Sequence, residues 1–143
     1  MRAFVAIVIA FSFLSSLQAG NLVELHYVLP ENKDGAIAAE LASSELWLSP
    51  EVVIADADIE SATVTRFDED FAIMLKLTNH GAERFDQFAA KHLGDQLAIL
   101  VRGKVVSAPV VRESKFGGTI QISGNFNEKE AMALVSALNK PRQ

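Results

Sequence analysis

The 143-residue chain contains no cysteine. Disulfides, thiol nucleophiles and lipid attachment at a processed N-terminal cysteine are therefore excluded, and the core alone must hold the fold. Histidine is scarce. His26, His80 and His92 show neither i, i+4 spacing nor a nearby acid in a known metal pattern, so they read as solvated or capping side chains. No serine lies in a G-x-S-x-G elbow. The alternating acids Asp56, Asp58 and Glu60 read as one face of a strand and lack the glycine turn and following glutamate of a calcium loop. No sequence context points to a glycosidase carboxylate pair. These absences speak against an enzyme and against any cofactor or metal. Basic residues are also outnumbered, 13 against 18 acidic, the reverse of what binding phosphates wants, so nucleic acid is not an expected partner.

The one long apolar run follows Arg2, from Ala3 to Leu14 with Ser12 inside it, and passes into small and polar residues ending at Ala19. A membrane span needs about 20 predominantly apolar residues. The layout is that of a secretory signal peptide over residues 1–19, although Leu17 stands where a small residue is usual. Cleavage there leaves a periplasmic chain from Gly20 with a net charge of −6 and no transmembrane span.

Beyond the leader, Val23, Leu25, Tyr27 and Leu29 alternate with Glu24 and His26, a half-buried strand with the histidine on its polar face. "PENKDG" is a loop, and "AIAAELASSE" suggests a short helix. Strands are expected over 47–53, 59–67 and 71–77, with "DED" turning between the last two. The period then changes: Ala82, Phe85, Phe88, Ala89 and Leu93 form a helical stripe between a Thr78-Asn79 cap and Gly94. A second helix opens at Asn127 with Glu130 three residues on, a capping-box relative, and its stripe is Ala131, Leu134, Val135 and Leu138. Pro141 stops it.

Between these helices, "GKVVSAPVVRESKFGGTIQISGNF" is rich in β-branched residues and glycine. Gly103-Lys104 suits a type II′ turn, pairing Val101 with Val106, Ile99 with Ala108 and Leu97 with Val110. Pro109 then marks an edge or a bulge. "FGG" turns the chain into a strand with Ile120 and Ile122 on one side, and the glycine pair lacks the spacing and lysine of a P-loop. On the opposite face of the 103–110 strand stand Val105, Ser107 and Pro109, with Phe116, Gly117 and Gly118 a few residues beyond. Small side chains and reachable backbone make these six the candidate contact for an extended polypeptide added as a strand.

The blocks "LSPEVVIADADIESA", "LTNHGAERF", "LAILVRGKVVSAP", "GGTIQISGNF" and "EKEAMALVSAL", in this order, resemble the head of the first periplasmic domain of SecD, the accessory subunit of the SecDF protein-export translocase. The similarity covers about Leu46 to Asn139. It implies an α+β fold of the ferredoxin-like SecD head type, an antiparallel sheet with two main helices packed on one face. Together with the leader, this divides the chain into a signal peptide (1–19), an N-terminal strand and connecting segment (20–45) and a head-like domain (46–143). SecD itself continues into transmembrane helices, which are not found before Gln143, and "NKPRQ" does not match the family's glycine-containing leader after the last helix. The expectation is a stand-alone exported module, non-enzymatic, whose partner is extended or emerging polypeptide or a component of the export machinery. The alternative is an envelope assembly module that binds a folded protein.

Overall fold

The computed structural model describes residues 21–140; the expected signal peptide, its cleavage site and Pro141 lie outside them. Eight strands and two helices follow in the order β1 (Val23–Leu29), β2 (Ile37–Leu41), β3 (Ser44–Ala55), β4 (Ile59–Phe67), β5 (Asp70–Leu77), α1 (Asn79–Lys91), β6 (Leu97–Val101), β7 (Lys104–Ser107), β8 (Thr119–Phe126) and α2 (Glu128–Leu138). The expected α+β class holds. The antiparallel strands divide into a five-stranded sheet, β2-β3-β1-β6-β7, and a three-stranded sheet, β4-β5-β8. In the first, β2 comes round to meet β7, so the sheet curls almost into a barrel.

Strand alternation explains two cores. Leu25 lies between Ile54 of β3 and Ile99 of β6, and these pack with Ile73, Leu75, Ile120 and Ile122 of the smaller sheet and with Phe85, Ala89, Ala131 and Leu134 of the helices. Each fully buried Leu, Ile or Phe contributes roughly 1.5 to 3 kcal/mol. Residues of opposite parity on the same strands, Val28, Ala98, Leu100 and Val105, meet Leu48, Leu46 and Ala39 in a second cluster inside the curl.

Both helices form as their sequences direct. The Thr78 hydroxyl accepts from Gly81 N–H at 3.0 Å, and the Asn127 side chain accepts from Glu130 N–H at 2.8 Å while the Glu130 carboxylate accepts from Asn127 N–H at 3.0 Å. Gly81 also lets α1 approach closely, since a Cβ there would lie 2.8 Å from the Cβ of Asp58. Leu93, expected on the buried stripe, is beyond the helix end and 54% exposed.

Four further expectations need correction. Residues 37–45 are not helical: β2 and β3 form a hairpin whose turn residues Ala42 and Ser43 both take positive φ, 49° and 72°. Alanine favours helix as an intrinsic tendency, but pairing along β3 overrides it. His26 is not solvated; it is 3% exposed. Its Nδ1 lies 2.7 Å from the Ser49 carbonyl, at an irregularity where β3 carries extra residues around Pro50 opposite β1. The imidazole thus satisfies a carbonyl that the ladder leaves behind, and its Nε2 lies 3.0 Å from Glu24 Oε1. Of the acids of "DADIE", only Glu60 lies on a strand, in β4. Asp56–Asp58 form a 3-10 turn, where the Asp56 carboxylate accepts from Leu22 and Val23 N–H at 2.8 Å each, and Asp58 accepts from Ala55 N–H and from Arg84. Finally, the β6–β7 register differs. Val101 faces Lys104, so Arg102 and Gly103 are the turn residues, with φ of 51° and 85°. Two positive φ values mark the type I′ family, whose twist suits a hairpin. A bulge then sets Ile99 opposite Ser107, and Val110 meets Gln96 rather than Leu97.

Candidate functional site

The three-stranded sheet presents two edges, and the hydrogen-bond parity of β5 determines what each exposes. Leu77 N–H donates to the Gly118 carbonyl at 2.8 Å, and β8 continues in the same register, Ile120 opposite Leu75 and Ile122 opposite Ile73. Even-numbered residues of β8 therefore bond β5, and the backbone groups of Thr119, Gln121 and Ser123 point away from it. The far half of this edge is sheltered by β7: a Cβ on Gly124 would sit 3.5 Å from the Val106 carbonyl oxygen. The near half, Thr119 to Gln121, borders a cleft of about 470 Å³.

Opposite β8, the cleft wall is the segment from Pro109 to Glu113, and its apolar floor includes Leu97, Ile99, Phe85, Phe116 and Ile120. The wall is tied down. The Pro109 carbonyl accepts from Leu97 N–H at 2.9 Å, Val111 N–H donates to the Asp95 carbonyl at 2.8 Å, and the Val111 carbonyl accepts from Gly94 N–H at 2.8 Å. Phe116 is held by its N–H donating to Asp86 at 3.1 Å and by its ring lying 4.7 Å from that of Phe85. Asp86 and Phe85 belong to α1, which Arg84 fixes by donating to Asp58 at 2.9 Å and to the Val53 carbonyl at 2.8 Å.

The six sequence-derived residues fall in three places. Pro109 and Phe116 line the apolar cleft. Gly117 and Gly118 line a neighbouring, more polar hollow with Lys76 and Asn79, and the two hollows share Met74 and Thr119. Val105 packs into the second core cluster, and Ser107 is half-buried at the end of β7. Sequence reasoning missed Met74, Thr119 and Gln121 as lining residues; the alternation of "TIQIS" placed Ile120 and Ile122 inward, which puts Thr119 and Gln121 outward, and was the available signal.

Among the described residues, no three His, Asp or Glu side chains gather to hold a metal ion, and no helix is long and apolar enough to cross a membrane. Glu24, on β1, has its ionisation displaced. Burial pushes its carboxyl up, but hydrogen bonds from Asn21 and His26 and the nearby imidazole outweigh this and hold it below its ordinary value.

The sequence profile of the SecDF P1 head subdomain matches residues 31–140. The protein translocase subunit SecD of Aquifex aeolicus is 43% identical over 67 residues, 47% of this chain and 13% of that protein. SecD of Calditerrivibrio nitroreducens is 26% identical over 127 residues, 86% of this chain and 24% of that protein. A solved SecDF structure, of a membrane component described as enhancing protein export, superposes with a TM-score of 0.66 at 24% identity over 88% of this chain and 65% of that one. The chain thus spans about an eighth and a quarter of the length of these two SecD relatives. With the profile match covering most of its length, the chain belongs to the SecDF P1 head subdomain family.

Proposed function

We propose that this chain is a non-enzymatic periplasmic module, exported by a signal peptide cleaved after Ala19, that binds extended or emerging polypeptide as an accessory to protein export. The cleft between β8 and the Pro109–Glu113 wall is the contact surface. One observation carries this reading: the outward N–H and carbonyl of Gln121 and the outward carbonyl of Thr119 run beside an apolar floor, while the Thr119 N–H is taken by the Phe116 carbonyl at 3.3 Å. An extended segment added there would bond through its main chain and place alternate side chains into the cleft, which is how strand addition combines affinity with sequence tolerance. Pro109 and Phe116 are the contacts retained from the sequence. In this reading Gly117 and Gly118 shape the approach, Ser107 lies at its margin, and Val105 supports it from behind.

The test is Gln121→Pro. It deletes an outward N–H without removing a bond to β5, a position where an edge strand tolerates proline. The variant should melt within a few degrees of wild type yet lose binding to a permanently unfolded polypeptide, measured by fluorescence anisotropy. A folded variant that binds as before would refute the assignment of this edge. Binding that unfolded peptide fails to compete away would favour the assembly-module reading instead.

A further inference from the structure

The opposite edge of the three-stranded sheet is closed by a side chain. Register with β5 makes Ala62, Val64 and Arg66 the residues of β4 whose backbone groups point outward. At Ala62 both groups are taken: its N–H donates to Asn139 Oδ1 at 2.9 Å, and its carbonyl accepts from Asn139 Nδ2 at 2.9 Å. A carboxamide offers the same donor and acceptor as a peptide group, so Asn139 stands where a neighbouring strand would bond. Its own position is fixed, because it caps α2 and its N–H donates to the Val135 carbonyl at 3.0 Å.

We propose that Asn139 guards this edge against pairing with β4 of a second copy of the chain. The strand is self-complementary. Ser61, Thr63 and Thr65 share its outer face, and an antiparallel copy would set hydroxyl beside hydroxyl. Such a contact is isologous, closing on a two-fold axis. With Ala62 occupied, a two-fold arrangement centred on Thr63 loses the bonds that Ala62 of each copy would exchange with Val64 of the other.

The test is the series Asn139, Asn139→Asp and Asn139→Ala, followed by sedimentation velocity and amide exchange. Aspartate still accepts from Ala62 N–H but cannot donate to its carbonyl, and alanine does neither. Exchange at Ala62 should stay near wild type in Asn139→Asp, which keeps the acceptor, and rise at least tenfold in Asn139→Ala at low concentration. Asn139→Ala should also self-associate at concentrations where wild type does not. Adding Val64→Pro, which deletes the next outward N–H, should abolish that association. Unchanged exchange at Ala62 in Asn139→Ala, sedimentation of Asn139→Ala like wild type, or association that survives Val64→Pro would each overturn the proposal. Should Asn139→Ala fold poorly, Asn139→Gly, which also removes the carboxamide at a helix end where glycine is tolerated, decides instead: Ala62 protection and sedimentation equal to wild type would contradict the proposal.

Discussion

On either side of β5, one row of the three-stranded sheet holds Thr63, Met74 and Gln121, yet its two ends are finished differently. The β4 end is bonded over by Asn139 at Ala62. The β8 end opens at Gln121 beside an apolar cleft. Edge strands are a hazard that proteins normally blunt. That one edge is stoppered and the other left reachable, with a fixed wall facing it, is the difference that carries the functional reading.

The largest expected effect removes the framework common to both edges. Leu75 is fully buried between Ala62 and Ile120, so Leu75→Ala should cost about 2 to 5 kcal/mol in denaturant unfolding and loosen both edges together. Gly81→Ala comes next. Its Cβ would press on Asp58, and the backbone oxygen of Asp58 lies only 2.9 Å away. Overpacking of this kind costs roughly 1 to 3 kcal/mol. Because α1 carries Phe85 and Asp86, polypeptide binding should weaken while Ala62 exchange stays unchanged, which separates the edges.

A smaller effect touches neither edge. Glu24 ionises more readily folded than unfolded, so its contribution is present above its ordinary value of 4.5 and is lost as pH falls through the folded value. Glu24→Gln should therefore flatten the fall in stability on acidification below that pH, by less than about 1 kcal/mol given the partial exposure of the carboxylate. Smallest of all is Lys104→Asn. Lys104 is exposed beside the Arg102-Gly103 turn, and its replacement should change the unfolding free energy by under about 0.5 kcal/mol in denaturant titration.

How much of this was legible follows from which signals are local. Both helices and their caps were, because Thr78, Asn127 and Glu130 bond within three residues of themselves. The hairpin at Gly103 was legible as a turn but not in register, since a left-handed Arg102 leaves no mark in composition and one bulge offsets the partners of β6. The burial of His26 depends on an irregularity around Pro50 across a neighbouring strand. Of the residues lining the cleft, Pro109 and Phe116 were legible because proline and glycine punctuate the chain near them. Gln121 as an edge residue and Asn139 as its counterpart were hidden, since the latter acts 77 residues away in sequence.

The most direct test of the account places the same photo-crosslinking side chain at Gln121 or at Thr63, both exposed and at opposite ends of one row. Each purified protein is irradiated with a permanently unfolded polypeptide. Capture from Gln121, competed away by excess unlabelled peptide, with little or none from Thr63, is the predicted result. Equal capture from both positions, or capture from Thr63 alone, would contradict the assignment of the β8 edge as the polypeptide contact.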